Sequence, residues 1–202
     1  MAVLRSPHRR RVLFLPGYGA GDRSTAVLRT SISAAGHDVH RWRIGRNKGP
    51  TPEIIEGLEA RFVELADRHA TEITVVGWSL GGVYAWALAQ RFPDRVQQVI
   101  TLGSPLHSLP GGPGPLAVPA TSIWSRNDRV VPWRASVVAG ERVENIEVRA
   151  SHLTLGFDPL VTHAIIDRLA QPPDRWRPFR APRWLPHAYP GGSSATTSPD
   201  SP

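Results

Sequence analysis

Cysteine is absent from the 202 residues of this chain, which excludes a disulfide bond, a thiolate metal site and a cysteine nucleophile. Long apolar runs are absent too, and none approaches the roughly 18 residues that a membrane-spanning helix requires. The apolar run at 12–15 follows several arginines, but it is shorter than the roughly 7 to 15 residues of a signal-peptide core. We therefore expect a cytoplasmic protein.

Lysine is nearly absent as well, since Lys48 is the only one among 24 basic residues, and the formal net charge is +7. Four arginines give residues 1–11 a charge of +4, and four arginines against two aspartates give residues 171–202 a charge of +2. The remaining +1 belongs to everything between. Because the charge lies on the ends and not on the central part, we interpret it as solvated termini and expect no nucleic-acid partner. The alternative is that the basic ends bind anionic lipid or nucleic acid.

The composition divides the chain into three parts. We predict a basic N-terminal extension at 1–10, a single domain at 11–170, and a tail rich in proline, arginine and serine at 171–202. The tail has no apolar periodicity, so we expect it to be largely disordered. Its apolar side chains at Trp176, Phe179, Trp184 and Leu185 are the ones able to pack back onto the domain.

Strand-like and helix-like patterns alternate along the domain. Short β-branched or apolar runs predict strands, and apolar residues at helical spacing predict helices. The predicted strands are 12–15, 37–44, 72–77, 96–102, 121–125 and 145–149, and the predicted helices are 24–35, 52–70, 80–92 and 159–169. This alternation is typical of an α/β protein with a mainly parallel sheet of about six strands and helices on both faces.

The strongest motif is Gly77-Trp78-Ser79-Leu80-Gly81, which lies between a predicted strand and a predicted helix. A G-x-S-x-G turn in that setting exposes a serine oxygen on a strained backbone, and its glycines leave room for the close crossing of strand and helix. We predict that Ser79 is a nucleophile. The alternative is a glycine-rich turn of some other doubly wound protein.

A serine nucleophile needs a base, and the base needs an acid that orients it. Asp128 follows one predicted strand and His152 follows the last, so both should reach the carboxyl edge of the sheet beside Ser79. His163 lies within the last helix and is predicted to be a surface or packing residue. Asp158 is predicted to cap that helix, and Asp94 comes too early to be the acid.

The developing oxyanion of an acyl-transfer reaction needs hydrogen-bond donors. The backbone N–H of Leu80, directly after the nucleophile, is one candidate. The glycine-rich loop after the first strand supplies the other, and its best candidate is the backbone N–H of Tyr18.

These motifs resemble those of the α/β-hydrolase superfamily, and in particular its small lipases and esterases. The resemblance covers about residues 11–170. It also includes Gly103-Ser104-Pro105, which follows the first predicted strand after the G-x-S-x-G turn. The resemblance implies that Ser79, Asp128 and His152 form a catalytic triad, with Tyr18 and Leu80 as oxyanion donors. One departure is Pro16-Gly17, where many lipases have His-Gly.

The interval 104–120 is too short for a helical cap domain, so we expect a minimal cap and a shallow or loop-covered site. Apolar lining is predicted from the interval itself and from Trp78 and Tyr18 beside Ser79. His107 is also predicted to line the pocket, and Trp42, at the end of the second strand, is able to approach it. The lining residues of the interval are Leu106, Leu109, Leu116 and Val118.

We expect a carboxylic-ester hydrolase that takes a small acyl ester and works through an acyl-enzyme. An acyltransferase or thioesterase with the same triad is the alternative, and a noncatalytic binding protein on this fold is a third. No cofactor is expected, and no metal, because the histidines show no paired ligand spacing. The oligomeric state is not predicted.

Overall fold

A computed structural model describes residues 8–172, 175–183, 185, 187–190 and the backbone of 193–194. Its strands and helices alternate as the sequence pattern predicted. The strands are β1 (Arg11–Leu15), β2 (Asp38–Arg41), β3 (Ile73–Trp78), β4 (Val96–Leu102), β5 (Ala120–Trp124), β6 (Val143–Glu147) and β7 (Ser193–Ser194), and the helices are α1 (Ala26–Ala34), α2 (Pro52–His69), α3 (Leu80–Arg91) and α4 (Pro159–Ala170).

One sheet in the order β2-β1-β3-β4-β5-β6-β7 organises the chain. The first six strands are all parallel, and β7 pairs antiparallel with β6. The predicted parallel sheet of about six strands is therefore confirmed. The order reverses between β1 and β3, and open α/β sheets bind their ligands at such a reversal point, outside the carboxyl ends of the strands.

Side chains of successive strand residues alternate between two apolar layers, as period-2 strand geometry requires. In β1, Leu13 and Leu15 pack with α2 and α3, whereas Val12 and Phe14 pack with α1 and α4. Both faces of the sheet are thus covered by helices. Among the described residues, no helix combines the length and the apolar character that crossing a membrane would need.

Strand β2 is shorter than the predicted 37–44 because the chain turns away after Arg41. Arg43 has a left-handed φ of 63°. The backbone N–H groups of Trp42 and Arg43 donate to the Asp22 carboxylate at 3.1 and 3.3 Å instead of continuing the ladder. Trp42 is fully buried in the core, so its side chain presents no surface to a ligand.

Part of the segment after α4 packs onto the domain. Phe179 and Tyr189 are buried and lie in the same apolar layer as α1 and α4. The backbone N–H of Phe179 donates to Glu144 at 2.7 Å. Trp184, which was also predicted to be able to pack back, lies outside the described residues, and the division of the chain at 10 and 170 stays a prediction.

The ends of the parallel strands lie level with one another. Leu15 pairs with Gly77, Trp78 with Leu102, and Leu102 with Ile123. Because the strands run in the same direction, the loops that follow them all emerge at one edge. This edge carries the residues of the candidate site.

Candidate active site

Ser79 occupies a strained turn between β3 and α3. Its φ of 55° and ψ of −124° lie outside the regions that L-residues favour. Its backbone N–H donates to Leu102 O at 2.8 Å, which fixes the turn to the end of the neighbouring strand. Strain of this kind persists only where the surrounding structure enforces it, and it occurs preferentially at functional sites.

The glycines of the motif are required by close backbone contacts. A Cβ atom on Gly77 would overlap the carbonyl group of Gly81, and a Cβ atom on Gly81 would overlap the carbonyl oxygen of Leu15. Helix α3 therefore starts against the ends of β1 and β3, at a distance that no larger residue permits. This packing agrees with the prediction that the two glycines leave room for the close crossing of strand and helix.

Asp128 and His152 form a buried pair. The side chains are 2% and 8% exposed, and His152 Nδ1–H donates to Asp128 Oδ2 at 2.6 Å. The other carboxylate oxygen accepts the backbone N–H groups of Val130 and Val131, both at 2.8 Å. These bonds fix the carboxylate, and the carboxylate in turn fixes the imidazole ring. The second ring nitrogen, Nε2, makes no hydrogen bond with any described residue and is left for another partner.

Ser125 joins the loops that carry the acid and the base. Its hydroxyl oxygen accepts the backbone N–H of Asn127 at 3.1 Å and that of Ala150 at 3.2 Å. One buried side chain thus connects the loop after β5 to the loop after β6. The role of Ser125 could not be predicted from the sequence, because only the fold brings these two loops together.

Gly103 places the end of β4 against the acid–base pair. A Cβ atom at this position would lie 2.9 Å from Asp128 Oδ2 and 3.3 Å from His152 Nδ1. Gly103 also has a left-handed φ of 50°. The Gly-Ser-Pro run noticed in the sequence therefore has a local reason, since only glycine leaves room for this pair.

The loop after β1 lies beside Ser79. A Cβ atom on Gly17 would lie 3.2 Å from Ser79 Cβ and 3.8 Å from Ser79 Oγ. The backbone N–H groups of Tyr18 and Leu80 donate to no other described residue. Two unused donors therefore flank the serine.

The residues predicted to bind substrate are arranged differently from that expectation. Trp78 is only 7% exposed, and its ring packs 6.3 Å from the ring of His152 and edge-on to Phe157. Leu106 is fully buried in the core and presents no surface to solvent, and its assignment to the substrate lining stays a prediction. His107 is exposed and its Nε2 lies 2.9 Å from Val137 O.

Exposed apolar side chains lie on the loops of the candidate site instead. Among the described residues, five large apolar side chains are exposed, and four of them come from the loops that carry the candidate catalytic groups. These four are Tyr18 at 71%, Val130 at 65%, Leu153 at 69% and Phe157 at 53%. Val130, Leu153 and Phe157 were not predicted, because the apolar lining was expected in the interval 104–120.

The rival candidates lie elsewhere. His163 packs its ring against Phe179 and Tyr189, which confirms that it is a packing residue. Asp158 accepts the backbone N–H groups of Leu160 and Val161, so it caps α4 as predicted.

Three potential metal ligands lie close together beside β2, and none of them belongs to the candidate active site. The ligand atoms of Asp38, His40 and His69 lie within 4.8 Å of one another. The sequence spacing did not reveal this group because His69 comes from the end of α2. Burial lowers the pKa of His40, the Asp38 carboxylate raises it, and the nearby His69, Arg61 and Arg68 lower it, with a net lowering. Arg9 also lies 3.8 Å from the Asp38 carboxylate, so the surroundings disfavour an added cation, and we propose no metal there.

Comparison with known proteins agrees with this fold. A family model described as the alpha/beta hydrolase fold matches residues 15–112. Over 101 residues the chain is 30% identical to the biotin biosynthesis bifunctional protein BioHC of Teredinibacter turnerae. That match covers 48% of this chain, and the chain spans only 18% of the length of this curated relative.

The solved structures with similar folds include several hydrolases. Lipase B of Aspergillus fumigatus has a TM-score of 0.68 at 15% identity, over 83% of this chain and 55% of that one. Monoacylglycerol lipase of Paleococcus ferrophilus has a TM-score of 0.66 at 14% identity, over 83% and 96%. A pyrethroid hydrolase of Sphingobium faniae has a TM-score of 0.65 at 16% identity, over 83% and 100%.

Proposed function

The chain has the α/β-hydrolase fold, and from this premise we propose that it is a serine hydrolase that cleaves carboxylic esters. Ser79 is the nucleophile, His152 the general base and acid, and Asp128 the group that orients the histidine. The observation that carries the proposal is the buried Asp128–His152 hydrogen bond of 2.6 Å, at the same sheet edge as the strained Ser79. Lipases and other hydrolases among the similar structures support it.

Acylation begins when Ser79 Oγ attacks the carbonyl carbon of the ester. His152 Nε2 takes the proton from the hydroxyl, because Nδ1–H is already committed to Asp128. The carbonyl oxygen becomes an oxyanion, and the backbone N–H groups of Tyr18 and Leu80 are the proposed donors to it. Collapse of the tetrahedral intermediate breaks the bond to the leaving alkoxide, which receives the proton from His152.

Deacylation repeats these steps with water as the nucleophile. His152 takes a proton from the water as it attacks the acyl-enzyme carbonyl. The proton then returns to Ser79 Oγ when the carboxylic acid leaves. The Asp128 carboxylate orients the ring in both halves of the reaction, and its attraction stabilises the imidazolium that forms twice in each cycle.

Three exposed apolar side chains, those of Tyr18, Leu153 and Phe157, form what we call the apolar rim, and they support a substrate with an apolar part. Tyr18, Leu153 and Phe157 together present apolar surface to solvent close to the proposed catalytic groups. An acyl chain that covers this surface removes it from water, and each buried CH₂ group contributes about 0.8 kcal/mol. We therefore expect the specificity constant kcat/KM to rise with acyl length until the rim is covered.

A panel of p-nitrophenyl esters of increasing acyl length tests the proposal directly. The wild-type protein is expected to hydrolyse them, and Ser79→Ala is expected to abolish turnover while leaving the circular dichroism spectrum unchanged. His152→Ala should lose activity to a similar degree. His163→Ala is the matched control, because that histidine packs against the C-terminal segment, and it should retain activity. Turnover in Ser79→Ala at the wild-type rate would exclude the serine mechanism.

A further inference from the structure

Asn47 is a fully buried side chain outside the proposed triad, and all of its polar groups are used. It lies in the loop between β2 and α2 and is 0% exposed. Its Nδ2 donates to Pro16 O at 2.9 Å. Its Oδ1 accepts the backbone N–H of Gly49 at 3.1 Å and the hydroxyl of Tyr84 at 3.3 Å.

The backbone of Asn47 contacts the same loop as its side chain. Gly19 N–H donates to Asn47 O at 2.7 Å, and Asn47 N–H donates to Ala20 O at 2.8 Å. Together with the side-chain bond to Pro16, these contacts hold the loop on both sides of Tyr18. Tyr18 is the residue whose backbone N–H is the first proposed oxyanion donor.

Tyr84 connects Asn47 to the second proposed donor. It lies four residues after Leu80 on α3, which is about one helical turn. The phenol is buried, and burial raises the pKa of Tyr84 to about 12, so the hydroxyl keeps its proton and can donate. Asn47 therefore contacts both structural units that carry the proposed donors, the loop after β1 and the helix after Ser79.

We infer that Asn47 is a positioning residue that fixes the loop carrying Tyr18 relative to the start of α3, and thereby the geometry of the oxyanion hole. The inference rests on the proposed function. Asn47 would then support the loop after β1, which here begins with Pro16-Gly17. A proline has no side-chain donor, so the support comes from the neighbouring loop.

We expect Asn47→Ala to weaken stabilisation of the transition state without weakening binding of the substrate in the ground state. In Asn47→Ala the loop keeps its backbone bonds but loses the side-chain bond that holds Pro16 O. A donor that is displaced by even about 1 Å can cost about 100-fold in rate. We expect kcat for a p-nitrophenyl ester to fall about 10-fold to 100-fold, with KM changed less than about threefold.

An alkyl trifluoromethyl ketone gives a readout that a purely structural role would not move. Ser79 adds to its carbonyl carbon and the oxygen becomes an oxyanion, whereas the corresponding methyl ketone serves as a ground-state ligand. Asn47→Ala should weaken inhibition by the trifluoromethyl ketone by the same factor as kcat/KM and leave inhibition by the methyl ketone unchanged. The pH midpoint of kcat/KM should stay in place, because His152 is untouched.

Asn145→Ala is the matched control. Asn145 is 3% exposed and bonds both backbone groups of Val138, with 2.8 Å to the carbonyl and 3.0 Å from the N–H. It is a buried asparagine that supports a different loop, so its loss should lower stability without the selective loss of trifluoromethyl ketone affinity. Tyr84→Phe, which removes one hydroxyl, should show the same selective loss as Asn47→Ala at about threefold to tenfold.

Three outcomes overturn the inference. They are wild-type kcat and trifluoromethyl ketone affinity in Asn47→Ala, an equal selective loss in Asn145→Ala, or, if Asn47→Ala does not fold, an unaltered Tyr84→Phe. A wild-type protein that hydrolyses no ester and binds no trifluoromethyl ketone would instead contradict the proposed function itself.

Discussion

At the scale of single residues, Gly103 has two separate reasons to be glycine, and they can be measured separately. Its φ of 50° disfavours any side chain, and a Cβ atom would press on Asp128 and His152. Gly111 has a φ of 77° but no atom within 4 Å of such a Cβ. A comparison of alanine at the two positions separates the cost of the backbone conformation from the cost of the contacts at Gly103, which also include Leu155 Cδ1 at 2.6 Å.

Gly111→Ala is expected to cost about 1–2 kcal/mol of unfolding free energy from its backbone conformation and to leave activity unchanged. Gly103→Ala should cost more and should also lower kcat at least about tenfold, because the pair must shift to admit the methyl group. Urea unfolding and ester kinetics on both variants provide the measurement. Equal kinetics for the two variants would show that the close contact at Gly103 does not constrain the pair.

At the scale of elements, a buried ion pair joins α4, β6 and the segment after α4. Arg168 and Glu144 lie 2.8 Å apart and are 2% and 0% exposed. Glu144 also accepts the Thr121 hydroxyl at 2.9 Å and the Phe179 backbone N–H at 2.7 Å. The burial of Phe179 beside α4 thus has a polar anchor as well as an apolar contact.

Glu144→Ala removes one of the two carboxylates that contact the buried Arg168 guanidinium, and Asp167 remains as the other. We therefore expect a destabilisation somewhat below the roughly 3–5 kcal/mol of a buried charge that loses its whole partner. Glu59→Ala removes the exposed partner of Arg91, whose side chain is 67% exposed, and should cost no more than about 1 kcal/mol. Urea unfolding measures both. If the two variants were equally stable, the Glu144 network would not anchor the C-terminal segment.

The spacing of apolar residues along the sequence was sufficient to predict most of the strands and helices. Strand β4 and the start of α3 lie at their predicted positions. The apolar run of β4 ends at Gly103, and the run of β3, which precedes α3, ends at Gly77, so both boundaries are clear in the sequence. The end of β2 was missed because the Asp22 carboxylate, 20 residues earlier, takes the backbone N–H of Trp42. The contacts of Asn47 and Ser125 were also invisible, since each connects loops that only the fold brings together.

At the scale of the whole molecule, buried histidines make stability depend on pH. His37 is 3% exposed, and its Nδ1 accepts the backbone N–H of Arg10 at 3.2 Å. Burial, with a smaller contribution from the Arg10 charge, lowers the pKa of His37 to about 4. The folded state therefore favours the neutral imidazole, whereas the unfolded chain takes up a proton near pH 6.5.

The stabilisation from neutral His37 is complete above pH 6.5 and is lost as the pH falls from there toward 4. We expect the unfolding free energy to drop by about 1–2 kcal/mol between pH 7 and pH 5, after allowance for partial solvent screening. His37→Gln should reduce this dependence, leaving the part due to His40, whose pKa is lowered mainly by burial. Urea titrations at the two pH values test this, and an unchanged pH dependence in His37→Gln would contradict it.

The central claim is that Ser79 is a nucleophile activated by His152, and covalent labelling with a fluorophosphonate tests it most directly. Peptide mass analysis of the wild-type protein should find a single adduct on Ser79. Labelling should be absent in Ser79→Ala, greatly slowed in His152→Ala and unaffected in His163→Ala. A folded wild-type protein that takes up no label, or that carries the label on another residue, would contradict the account.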